Sequence, residues 1–88
     1  MYNLYYVQIK KEFEEISQER MANIGDFINI FDTTYLIVTE MSAKDIYNKI
    51  SMNGESSIFI IQCNINEYYG WANKRVWAWL DEKKKLLR

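Results

Sequence analysis

Histidine is absent from this 88-residue chain, and so is proline. Without histidine the chain lacks the usual general base at neutral pH and the commonest metal ligand. A Ser-His or Cys-His nucleophile is therefore excluded. The single cysteine, Cys63, has no partner for an internal disulfide, and one thiol cannot build a zinc site. A lone thiol points to a reducing cytoplasm. The three glycines, Gly25, Gly54 and Gly70, stand apart, so there is no glycine-rich phosphate loop. The formal net charge of -1 exerts no global pull on nucleic acid or membrane. No apolar run approaches the roughly 20 residues of a membrane span. The first residues, "MYNLYYVQIKK", lack the pattern of a secretory signal. The expectation is a cytoplasmic protein with no membrane association, no cofactor and no metal. An enzyme built from this inventory would need carboxylates around a divalent cation, or lysine, arginine or tyrosine.

What is present is a large apolar complement, 49% of the residues, sufficient for a real core in one domain spanning residues 1–88. Residues 3–9, "NLYYVQI", read as a strand. Residues 10–24 read as a helix with Phe13, Ile16, Met21 and Ile24 inward and Glu12, Glu15, Glu19 and Arg20 in water. Gly25 is a natural stop. The stretch "FINIFDTTYLIVTE" is rich in β-branched and aromatic residues, with Asp32, Thr33 and Thr34 in its middle. Ile28, Ile30, Leu36 and Val38 share one parity, and Asp32 and Thr34 share it too. An unbroken strand with that face inward would bury Asp32, at a cost of several kcal/mol if charged and unpaired. A bend or bulge avoids this, with strands near 27–31 and 34–39.

Ser42 to Asp45 reads as a capping box with aspartate in the last place. The helix behind it carries Ile46, Tyr47 and Ile50 and ends before Gly54. "SIFIIQC", residues 57–63, is the most hydrophobic stretch and reads as a central strand. A last helix follows over about residues 67–86. With Val76 inward, Tyr69, Ala72, Trp79, Leu80 and Leu87 fall on the buried side at about 100° per residue. Trp77 lies on the flank and Trp71 points away. Lys83, Lys84 and Lys85 suit the negative end of the helix dipole. The order is strand, helix, strand, strand, helix, strand, helix. That is an α+β class, the ferredoxin-like βαββαβ sandwich with an additional C-terminal helix.

Two segments carry a resemblance to a family. "IGDFINIFDTTYLIVTEMSAKDIYNKI" resembles the part of SinR-like proteins with a glycine, an aromatic pair, Leu-Asp-Ser-Thr-Trp-Leu-Ile, a threonine, then Ser-Ala-Glu and a helix. "YYGWANKRVWAWLDE" resembles that family's Gly-Trp followed by a helix containing Trp-Leu. The resemblance extends from about Ile24 onward. It implies a fold related to the smaller CRISPR adaptation protein and to VapD-type ribonucleases, which are ferredoxin-like homodimers. The nuclease relatives carry a metal-holding aspartate at the end of the first strand. Gln8, Ile9 and Lys10 occupy that place here, and Glu12 is the nearest acid. That departure weighs against metal-dependent cleavage.

"LYYVQI" is similar to the first strand of RNA-recognition domains, but "SIFIIQC" lacks the basic, glycine-rich confirming motif. Nucleic acid is therefore not the expected partner. Lys10, Lys11, Lys74 and Arg75 are the phosphate-contact candidates should those clusters converge; the bland reading is solvated helix faces and caps. Seven tyrosines, four phenylalanines and three tryptophans exceed what one small core can readily hide. Asp32, Thr33, Thr34, Tyr35, Trp71 and Trp77 are the candidates for a ligand or interface, although a structural bend is the favoured reading of the triplet. The expected function is that of a non-catalytic homodimeric module binding a protein or a small nucleotide-like ligand. Its richness in Ile, Asn, Lys and Tyr fits AT-rich coding. One concrete version is a phage-borne counter-defence protein. The alternative is a metal-dependent endoribonuclease.

Overall fold

The computed structural model describes residues 1–10, 20–31, 33–51, 57–64, 70 and 73–87. Its elements are β1 (Asn3–Ile9), β2 (Asp26–Phe31), β3 (Thr34–Thr39), α1 (Ala43–Ile50), β4 (Ile58–Cys63) and α2 (Lys74–Lys83). The strands form one four-stranded sheet in the order β2-β3-β1-β4. Every neighbouring pair is antiparallel. The class is α+β.

Alternation of side chains sorts the strands into two apolar faces. On one face Tyr5, Val7 and Ile9 of β1 and Tyr35 and Ile37 of β3 meet Met21, Ile24 and the α1 residues Ile46 and Ile50. On the other, Leu4, Ile28, Leu36 and Val38 meet Val76 and Leu80 of α2. β3 is thus covered on both sides, as its apolar sequence anticipates, whereas β1 is covered on the α1 side and, on the α2 side, only at Leu4.

The stretch from Phe27 to Glu40 does break. β2 ends at Phe31, β3 begins at Thr34, and those two residues pair. The register shifts between Asn29 and Phe31, so Ile30 is an extra residue on β2. Ile30 packs beside Ile28, Leu36 and Val38 as their shared parity predicts. Asp32 itself lies outside the described residues.

Of the helix expected over residues 10–24, Arg20 and Met21 are helical and a turn follows to Ile24; residues 11–19 lie outside the described set. Met21 and Ile24 are buried as expected. Arg20 corrects the reading that left it in water. Its Nη1 donates to the carbonyls of Ile50 at 3.3 Å and Ser51 at 3.1 Å, at the C-terminal end of α1. A cation satisfies carbonyls that a helix end leaves free. At the other end, Ser42 caps α1 by accepting from the Asp45 N–H at 3.2 Å.

Gly25 stands where the turn ends, but its necessity is steric. A Cβ there would collide with the Val38 carbonyl oxygen and approach Thr39 Cβ to 3.1 Å. Absence of a side chain lets the start of β2 lie close against β3. Beside it, buried Thr39 donates to the Ile24 carbonyl at 2.9 Å and accepts from the Met41 N–H at 3.2 Å.

α2 is shorter than the helix expected over 67–86; residues 65–69, 71 and 72, with Tyr69, Trp71 and Ala72 among them, lie outside the described set. Asn73 caps it, accepting from the Arg75 N–H at 2.9 Å. Lys83 departs from the expectation of a solvated basic end. Its side chain is only 11% exposed and its Nζ donates to Asp26 Oδ2 at 2.7 Å. That bond pushes the Lys83 pKa up, against the opposing effect of burial. Its aliphatic stem packs inward while its head ties α2 to β2.

Candidate interaction surface on β1 and β4

The strand expected to be central is an edge. β4 pairs with β1 and ends the sheet. Sequence hydrophobicity misplaced it because an uncharged apolar run fits a strand buried on both faces, and β4 has that composition without that burial.

Strand register arranges the α2-side face in rows. Asp26, Val38, Leu4 and Cys63 form one row, and Ile28, Leu36, Tyr6 and Ile61 the next. Phe31, Thr34, Gln8 and Phe59 form the third. α2 packs on the β2 and β3 side of the first two rows. It leaves Phe31 58% exposed, Phe59 55% and Ile61 51%. Tyr6 is half-buried, its ring edge-on to Phe59 with centroids 6.4 Å apart and planes at 73°. The Tyr6 hydroxyl donates to Gln8 Oε1 at 3.2 Å. The result is a neutral patch of Tyr6, Gln8, Phe59 and Ile61, with Phe31 on the same face at the far edge. Several large apolar side chains exposed together make this face the candidate for binding.

The sequence-derived candidates are distributed differently. Tyr35 is fully buried in the core, against Phe27 at a ring distance of 6.0 Å. It is corrected from interface candidate to core residue, because odd positions of β3 point toward α1. Thr33 is buried, and its carbonyl accepts from the Ile9 N–H at 3.0 Å. Thr34 is half-buried, and its carbonyl accepts from Asn29 Nδ2 at 3.1 Å. Trp77 is half-buried and packs against the α2-side core. Asp32, Trp71, Lys11 and Glu12 lie outside the described residues. Phe31, Phe59 and Ile61 were missed. The available signal was parity: Phe59 and Ile61 alternate with Ile58 and Ile60, so an edge position leaves one pair outward.

Among the described residues, Lys10 and Arg75 border different hollows. Lys10 borders a shallow hollow of about 380 Å³ with Gln8, Ser57 and Phe59 near the β4 edge. Arg75 borders another of about 350 Å³ with Ile28, Asn29 and Trp79 near β2. Lys74 adjoins Arg75 in the first turn of α2 and is exposed. Among the described residues no three of the metal-ligating types cluster. Partial burial pushes the Cys63 thiol up in pKa, which keeps it protonated and a poor nucleophile at neutral pH. Among the described residues no helix is long and apolar enough to cross a membrane. No family model matches the chain, and neither a curated protein nor a solved structure matches it.

Proposed function

We propose that this chain is a non-catalytic, homodimeric interaction module of the ferredoxin-like plan. It binds a protein through the neutral face of Tyr6, Gln8, Phe59 and Ile61. One observation carries the reading: β4 has the composition of a buried strand and the position of an exposed one. Leaving such a surface in water forfeits hydrophobic stabilisation and invites aggregation, so a partner that covers it gains both ways. The strand order β2-β3-β1-β4, with antiparallel neighbours, is the order a βαββαβ chain adopts, which supports that plan. Membership of the SinR-like family rests on the two segments quoted above. A cytoplasmic location and a phage-borne role in counter-defence belong to the same proposal. A protein is favoured over a nucleotide-like ligand because Tyr6, Gln8, Phe59 and Ile61 are uncharged and, although Lys10 borders Gln8 and Phe59, Arg75 lies in a different hollow near β2, so the two cations do not converge.

Serine at both Phe59 and Ile61 tests the proposal. Both side chains are more than half exposed, so the folded chain should lose little stability. Self-association should disappear while unfolding stays cooperative. Association at undiminished strength in the double variant would put the binding surface elsewhere and overturn the assignment.

A further inference from the structure

The sheet has two edges, and they are built differently. β2 carries Asp26 in its first position, a register shift at Asn29–Phe31, and α2 packed along it with Lys83 bonded to Asp26. A charge, a bulge and a covering helix are the devices that keep an edge strand from pairing with another chain. α1 packs on one face of β4 through Ile58 and Ile60, but among the described residues neither a charge nor a bulge guards its outer edge. "IFIIQC" contains no charge, no proline and no glycine, and its register with β1 runs without interruption from Ile58 to Cys63. Six such residues on an edge are a template for strand addition.

We infer that β4 pairs antiparallel with β4 of a second copy, about a two-fold axis at Ile60, to make one eight-stranded sheet. This rests on the homodimeric reading above and names its contact. A second copy fits because the edge is neutral: identical strands meet without like charges opposed, and a net charge of -1 per chain adds little long-range repulsion. An isologous contact also needs a self-complementary surface. Centring on Ile60 supplies it, since exposed Phe59 of each copy then lies opposite exposed Ile61 of the other. Ile60 meets its own counterpart on the α1 side. Either register sets an isoleucine against Gln62, Ile58 with the axis at Ile60 and Ile60 with the axis at Ile61, but a shift to Ile61 would replace both Phe59–Ile61 contacts by Phe59 against Cys63. The backbone edge with Phe59, Ile61 and their half-buried neighbours offers on the order of 500 Å² per copy, or about 1,000 Å² in all, the lower bound for a specific interface. A contact at that lower bound is a weak one. An axis normal to the sheet keeps both Tyr6–Phe59–Ile61 patches on one side. Dimerisation thereby doubles the neutral platform and leaves its outer surface open to a further protein.

The test uses single-thiol chains. Phe59→Cys and Ile61→Cys are each made with Cys63→Ser, and the two proteins are mixed under mild oxidation. The mixed 59–61 disulfide should form at least tenfold faster than either homodisulfide, because directly opposed residues are closer than diagonal ones. Amide exchange of wild-type β4 should also slow as concentration rises. A wild-type dimer with no preference for the mixed disulfide and no protection of β4 would overturn this inference and leave the homodimeric reading standing. A wild-type monomer at high micromolar concentration, with no mixed disulfide, would overturn both.

Discussion

Thr39→Val changes one polar atom and almost no volume. Thr39 is buried at the end of β3, where its hydroxyl joins the start of β2 to the approach to α1. It donates at 2.9 Å to the Ile24 carbonyl and accepts at 3.2 Å from the Met41 N–H. Valine keeps the shape and strands both partners. A buried group left unpaired costs about 1–3 kcal/mol. Ile24 is buried and bears that cost, whereas half-buried Met41 recovers part of its loss from water. The net destabilisation is about 2 kcal/mol, a fall in Tm of roughly 10 °C for a domain of this size. Thr39→Ser retains the hydroxyl and loses one methyl, at about 0.8 kcal/mol. Urea and thermal melts of the three proteins at one fixed concentration should therefore rank wild type above Ser above Val. Fixed concentration matters because dimerisation would couple stability to it. A valine variant as stable as the serine variant would refute the reasoning that the hydroxyl bridge holds this corner.

Gly25→Ala should destabilise more than any exposed substitution, by several kcal/mol, because its Cβ meets backbone rather than a side chain that can swing away; a thermal melt at wild-type temperature would contradict this. Asp26→Asn should cost only about 0.5 kcal/mol, since Asp26 is largely exposed although Lys83 is not. The folded Lys83 pKa lies above its unfolded value, so the contribution of its protonated form is complete below about pH 10.4 and fades as pH rises through the folded value. The wild-type advantage over Asp26→Asn in urea melts should stay level from neutral pH to pH 9 or so and shrink only in stronger alkali. Purified protein should leave single- and double-stranded RNA and DNA intact with magnesium or manganese; cleavage abolished by Glu12→Gln would favour the ribonuclease alternative.

The parts of the fold that were legible are local ones. Strand parity correctly grouped Ile28, Ile30, Leu36 and Val38, and the conflict of Asp32 with that face predicted a break between two strands. Ser42 announced the start of α1 through its cap. What was not legible depends on pairing distant in sequence. Composition cannot say whether "SIFIIQC" has one neighbour or two, and β4 proved to be an edge. Arg20 and Lys83 look like surface cations at helical spacing. Their partners, the α1 carbonyls and Asp26, are brought to them only by the assembled fold. The same limitation governs the candidate surface. Tyr35, next to the Asp-Thr-Thr triplet in sequence, is core, whereas Phe59 and Ile61 stand out only once β4 takes the outer position.

The most direct test of an interaction module is the molar mass of the wild-type chain by light scattering, over a dilution series from high to low micromolar concentration. A homodimer joined at β4 should show the mass of two chains at the top of the series, falling toward one on dilution, with little change on adding salt because the contact is uncharged. A single-chain mass throughout would contradict it.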